Sequence, residues 1–455
     1  MAQQSPADTR PERAGGPDGR ARWQLRACAA ALALLAAAYL AQIASPLRLT
    51  PDAVVYLSMA QSATEGHGFT LHGHTTQYPP GYPAVIFVLD SVGLGTSWAL
   101  VAANCVLLAV GLAAFYVLLR EVFALQRTPA LLVCAFTMLS FPFFKHVALP
   151  LSDITFFAPA MLCVLVATRL AQASGRKRAA MVALALALAA AATAVRTVGI
   201  TLVPAVLWAC VAKKPEPGSA APRVRSAGRT IARVALLLAA AAILGVAASH
   251  TAYFRHMRAE YSVGFSATVQ RVITYRLTEC EQLAANGVPY NIAPALLQQA
   301  IPIFGVFALG LVALALWMRR RNPGPVEVYV ACNLLILMVW PYWDARFWLP
   351  VLPLIMAMVA QLMAHVARTR LARALLAAYL TLFALMGLAG LAYNTRISLS
   401  GASFPDRYRY PGLEATYEAA WGRRSAEDPA VNADALRVLR RYEPRAASAP
   451  ERRAE

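Results

Sequence analysis

Apolar residues run through this chain in long stretches separated by short polar segments. A helix needs about 20 largely uncharged residues to cross the hydrocarbon core of a bilayer. Runs of this kind, several of them short, recur at roughly 27–47, 97–119, 128–144, 153–170, 179–195, 197–212, 234–250, 296–318, 326–341, 347–365 and 374–393. The pattern predicts an all-α polytopic membrane protein with about 11 transmembrane helices. Segment 81–95 is apolar but broken by Asp90, Gly93 and Gly95, and is expected at the membrane interface as an amphipathic piece.

Residues 1–23 are polar, carry Arg10, Arg13, Arg20 and Arg22, and read as a disordered cytoplasmic arm. No convincing small-residue cleavage site precedes Pro46, so the first span reads as a retained signal-anchor. The transmembrane domain then takes 24–393, with a first extracytoplasmic loop at 46–96. Residues 394–455 form a short extracytoplasmic tail, with an amphipathic helix candidate at Asn432–Tyr442 and a disordered end.

Composition agrees with the pattern. Hydrophobic residues make up 59% of the chain and charged residues 14%, which suits a membrane protein and excludes an ordinary soluble domain. The net charge of +19 is explained by loops facing anionic lipid, without a nucleic-acid partner. With the N-terminus inside, the 1–23 arm and the inner loops together carry 21 Lys and Arg and the outer loops before the tail carry 8. Basic residues are retained on the cytoplasmic side, so this orientation in the cell (inner) membrane is favoured, although the tail's 11 Arg run against it. Six of the seven Cys lie in apolar stretches, and no disulfide framework follows.

The first loop, TPDAVVYLSMAQSATEGHGFTLHGHTTQYPPGYP at 50–83, differs in character from the rest. Thr50 suits an N-cap, Pro51 the first helical position, and Asp52 the first turn, where a carboxylate meets the helix dipole. Ala53, Tyr56, Leu57 and Ala60 recur at helical spacing until Gly66 and Gly68 end a short surface helix. Capping accounts for Asp52 as readily as chemistry does.

In this topology the polar residues gather on the outer side. Asp52, His67, His72 and His74 lie in the first outer loop, Lys145, His146 and Asp153 in the second, and Arg196 at the outer end of the fifth span. Tyr342, Trp343, Asp344 and Arg346 fall in the turn WPYWDARFWLP. Charges near apolar spans are costly and tend to serve function, although any one of them could simply snorkel to the interface. His67, His72 and His74, with Asp52 or Asp153, contain enough ligating atoms for a divalent metal. The two-residue spacing of His72 and His74 gives no helical pairing, and hydrogen bonds within the loop or contacts to a sugar explain the three equally.

The run Asp52, Tyr56, Leu57, Ala60, Gly66, Gly68, Phe69 and Tyr78–Pro83 resembles the first outer loop of the GT-C membrane glycosyltransferases. The branch most similar includes the protein O-mannosyltransferases and the lipid A aminoarabinose transferase. LSDITFF at 151–157 is similar to that family's second acidic motif, and DARFWLPVLP at 344–353 to its Arg-aromatic turn. Three departures stand out. Ala53 replaces a second acid that follows the first in the protein mannosyltransferases, Asp153 stands where Glu is commoner, and the C-terminal region is short.

The resemblance implies transfer of a sugar from a polyprenyl-phosphate donor to a hydroxyl or phosphate acceptor on a lipid, glycan or protein. It implies Asp52 as base and Arg346 as phosphate ligand, with Lys145 and Arg196 helping and Asp153 orienting the acceptor or a cation. Tyr56, Tyr78, Tyr82 and His146 are the expected substrate contacts. One base and one cation cluster suffice for a single inverting displacement. The alternatives are a multi-pass transporter, whose binding groups usually lie near the bilayer midplane, and a non-catalytic envelope assembly factor.

Overall fold

A computed structural model describes residues 17–211, 252–262, 264–287, 295–320, 322–408 and 410–448. Among them every regular element is helical, and the one backbone bridge outside helices joins Leu71 to His74. Five helices are long and apolar enough to cross a membrane: Arg22–Ala44, Ser97–Glu121, Ser152–Leu170, Gly175–Val195 and Arg370–Ser398. Five more of the expected spans coincide with shorter apolar helices, among them Arg127–Leu139, Pro325–Met338 and Leu352–Val366. The expected span 234–250 and the basic loop 213–233 lie outside the described residues, as do 1–16 and 449–455.

Proline explains most of the shortening. The 128–144 stretch breaks at Ser140, and a separate short helix, Phe141–His146, begins with Pro142 in its first turn. The 347–365 stretch starts late, at Leu352, because residues 345–348 form a 3-10 turn and Pro350 and Pro353 bar an α-helix through the segment before it. At the N-terminus the helix reaches back to Pro17, into the arm expected to be disordered. Pro at the first helical position is well placed for such a start.

Ser152–Leu170 is the central helix. Of its apolar window 72% is buried, against 17–39% for the other four long helices. Gly111 lets Ser97–Glu121 lie close against it, since a Cβ there would stand 2.4 Å from the Phe157 ring. Outward-facing Phe304, Phe307, Trp317, Leu375 and Leu382 are exposed, as side chains in contact with lipid would be.

Contacts sort the helix ends into two groups. At one end Arg169 pairs with Glu121, Arg319 with Glu327 and Gln361 (2.7 Å), and Gln361 donates to the Phe123 carbonyl (2.8 Å). At the other lie Asp52, Asp153, Arg196 and Arg346. Among the described residues the two groups are marked by opposite ends of the Ser152–Leu170 helix, Arg169 at one and Asp153 at the other.

The tail is not an appendage. Tyr417 receives the Leu49 N–H (2.7 Å) and donates to the Leu47 carbonyl, and Glu443 accepts from Leu47 N (2.7 Å). Phe404, Tyr408, Tyr417 and Trp421 pack as one aromatic cluster. The anticipated helix forms as Ala433–Tyr442, capped by Asn432, and its Arg441 binds Asp90 (2.9 Å). Under this cover the Pro51–Thr64 helix buries Ala53, Val54, Tyr56, Leu57, Met59 and Ala60, so it is a packed helix and not the surface helix expected. Burial of apolar side chains on that scale stabilises a short helix far more than its propensity does.

Candidate active site

Asp52 occupies the first turn of the Pro51–Thr64 helix, which Thr50 caps by accepting from Ala53 N (3.2 Å). Its Oδ1 receives the Tyr78 hydroxyl (2.7 Å), and its Oδ2 is in direct contact with the Arg346 guanidinium. Asp52 is only a quarter exposed. The placement sets the carboxylate at the positive end of the helix dipole and between Tyr78 and Arg346.

Arg346 is the hub. It sits in the Ala345–Trp348 turn, which Asp344 caps by accepting from Arg346 N (2.9 Å). The Asp344 carboxylate also lies 3.0 Å from Arg346 Nε, close enough for charge pairing though not aligned as a hydrogen bond. Asp153 is 4.0 Å away on the third side. Burial opposes the charge on Arg346, but Asp153, Asp344 and Asp52 together hold it more firmly protonated than an ordinary arginine. Burial likewise works against ionisation of Asp344, yet Arg346, His146 and the Arg346 N–H keep its pKa below the usual range.

Asp153, at the head of the central helix, is fully buried and bound by Arg196. Arg196 is delivered by the turn after Gly175–Val195, and Gly81 of the YPPGYP run makes this possible. A Cβ on Gly81 would stand 2.5 Å from the Ala194 backbone, so only glycine lets the first loop touch the chain here. The Phe347 ring lies near both guanidiniums, 5.4 Å from Arg346 and 5.8 Å from Arg196.

The remaining expected residues separate by burial. Tyr56 bonds Ser152 (3.1 Å) and meets Tyr78 and Tyr82 edge to face. Tyr82 is buried behind it. Tyr78 lies half-buried beside Asp52, where burial and then the carboxylate push its phenol upward. His146 is buried with its Nδ1–H donated to the Pro142 carbonyl (2.6 Å), and burial and Lys145 bring it down to about 4. Lys145 is exposed, and among the described residues no carboxylate pairs with it.

The histidines of the first loop go elsewhere. His67 and His74 are exposed, and His72 pairs with Asp434 of the tail (3.1 Å). Among the described residues no three His, Cys, Asp or Glu side chains converge as metal ligands. His67 and His72 instead line a cavity of about 360 Å³ with Ser62, Thr70 and Arg437, at the far end of the helix from Asp52.

Three residues that the motifs did not reveal belong to the site end. Arg276 and Glu279 form a buried pair beneath the Arg346 turn, and Tyr410 of the tail lies within electrostatic reach of Asp52, Arg346 and Asp344. An Arg and a Glu three residues apart look like any helical surface pair in sequence, and only the near-zero exposure distinguishes these.

Three carboxylates and two guanidiniums therefore form one cluster, with exposed Lys145 at its rim, within electrostatic reach of Asp344. The arrangement offers a hydrogen-bonded carboxylate beside a fixed guanidinium at the place where the helices end. Such a site can take an anion at the arginine and a proton at the aspartate. Compared with family models, with curated proteins and with solved structures, the chain matches none, so its resemblance to a family rests on the sequence motifs alone.

Proposed function

We propose that this chain is an integral-membrane glycosyltransferase that uses a polyprenyl-phosphate sugar as donor. The observation that carries the reading is the meeting of Asp52, Asp153 and Asp344 around Arg346, from three loops far apart in sequence, at one end of an apolar helix bundle. A transporter site near mid-bilayer would place such groups along the helices and not at their ends.

The charge balance dictates how the donor would bind. Carboxylates already hold both guanidiniums of the resting cluster, so of its cations only Lys145 at the rim stands open to an incoming phosphate. It gains Arg346 by exchanging with Asp52, a like-for-like replacement of one oxyanion by another. Asp52, released from its guanidinium, is then free to face the acceptor. It then takes the proton from the acceptor hydroxyl while the acceptor oxygen bonds to the anomeric carbon. The anomeric C–O bond breaks, and its electron pair leaves with the polyprenyl phosphate, whose charge Arg346 and Lys145 stabilise. Asp153 and Arg196 hold Arg346 from below, and Tyr78 keeps Asp52 oriented. The single displacement inverts the anomeric centre. The lipid tail stays between helices throughout.

The test is mass spectrometry of envelope lipids, glycans and proteins from cells lacking the chain. One glycosyl group should be missing, restored by the wild-type chain and not by D52N. An envelope unchanged by the loss would overturn the reading.

A further inference from the structure

We propose that Glu279 is a positioning residue that aims Arg346 at the site. It lies on the Phe265–Ala284 helix and its carboxylate is fully buried. Oε1 accepts from Asp344 N (2.9 Å) and from Arg276 (2.8 Å), and Oε2 accepts from Trp348 Nε1 (2.7 Å). Asp344 and Trp348 stand at the two ends of the turn that carries Arg346, so one side chain clamps both. Arg276 extends the grip by donating to the carbonyls of Leu337 (3.2 Å) and Tyr342 (2.5 Å). The pair thus holds the segment at four points, two before the turn and two bracketing it.

The chemistry requires a carboxylate. All three groups that reach Glu279 are N–H donors, and an ionised carboxylate is acceptor-only, with two oxygens to meet them. Glutamine has the same size but must turn its NH2 toward one of those donors, which opposes N–H to N–H in a buried place. The turn would then relax, and with it the direction of the Arg346 guanidinium. A pair that merely glued two helices would affect stability and leave the ligand of Arg346 untouched.

The inference rests on Arg346 as the phosphate ligand, and the test separates the two. Binding of a polyprenyl phosphate to the full chain in detergent is measured by calorimetry for wild type, E279Q, R346A and E279Q/R346A. Backbone hydrogen exchange is followed over residues 342–349 in the same proteins. We expect E279Q to weaken binding about tenfold and to speed exchange in that segment. The double variant should bind no worse than R346A, since Glu279 acts only through Arg346. W348F, which removes one donor from Glu279 and keeps an aromatic ring in place, should move both readouts the same way by less, and serves if E279Q does not fold. Wild-type affinity in E279Q, or losses that multiply in the double variant, would overturn the inference. If R346A itself binds as wild type, the phosphate reading falls. Glu279 is then decided by exchange alone: faster exchange at 342–349 sustains its hold on the turn, and unchanged exchange refutes it.

Discussion

Asp52 and Arg346 are in direct contact although 294 residues separate them in the chain. The proposed base and the proposed phosphate ligand are thus each other's partner in the resting protein. Much of what the site would do follows from breaking that pair.

Replacing Asp52 by Asn should cost about 10²–10⁴-fold in transfer, the usual worth of a general base. Donor affinity should hold or improve, because the oxyanion competing for Arg346 is gone. Donor binding and turnover measured on the same preparation check this, and a D52N protein that transfers at the wild-type rate removes Asp52 from the mechanism.

Arg346→Ala should raise the apparent KM for donor more than that for acceptor, with Arg346→Lys restoring part of the loss. Lys supplies a point charge where Arg offers a planar fork to phosphate oxygens. The Ala variant also leaves Asp52, Asp153 and Asp344 crowded without their shared cation. It should lose stability on the order of 3 kcal/mol. An unaltered KM for donor in a folded Ala variant would rule out the phosphate role.

His146 should make the protein acid-sensitive. The ring is buried among Lys145, Asp344, Asp153 and Arg346, and burial lowers it from 6.5 to about 4. A base whose folded pKa is depressed contributes stability that is whole above about 6.5 and is lost as pH falls through that window toward 4. His146→Gln, which keeps a donor for the Pro142 carbonyl, should therefore flatten the fall in melting temperature between pH 7 and pH 4.5. Glu279, pushed up to about 7 mainly by burial, titrates in both proteins and cancels in the comparison. Parallel melting curves for the two would dismiss the effect.

Topology is open to direct labelling. In a background without the seven native Cys, single Cys at Thr75, Trp343 and Glu427 occupies exposed positions at the site end, and His365 is exposed at the opposite end. A membrane-impermeant thiol reagent on intact cells should label the first three, and His365 only after lysis. The reverse pattern would put the site on the cytoplasmic face.

The N-terminal signals of the first loop were legible because capping is local: Thr50, Pro51 and Asp52 announce their helix within three residues. Helix ends were less so. Hydropathy passes smoothly through Ser140–Pro142 and Phe347–Pro350, whereas backbone geometry does not. The motifs marked Asp52, Asp153 and Arg346, yet Asp153 looked like a group at a loop edge and is in fact wholly enclosed. The role of the tail was hidden for a different reason. Its aromatic cluster is spread over 404–421 among polar and charged residues, and no spacing rule says that Tyr417 will serve the backbone of Leu47 and Leu49. Glu279 was hidden in the same way, since its two turn donors lie 65 and 69 residues further on.

The stitching of Leu47 and Leu49 to Tyr417 and Glu443 has a consequence for biosynthesis. Arg48, between them, is held by Asn394 and Ser398 of the last long helix. The backbone leading into Asp52 therefore gains its buried partners only after some four hundred further residues have emerged from the ribosome and been inserted. Until then the Leu47 and Leu49 amides have only solvent or lipid headgroups to bond, and the loop has no reason to settle. Contacts of such long sequence separation form late. A nascent chain stalled before Glu443 would carry all of the motif residues and still lack the contact that fixes Leu47, five residues ahead of Asp52.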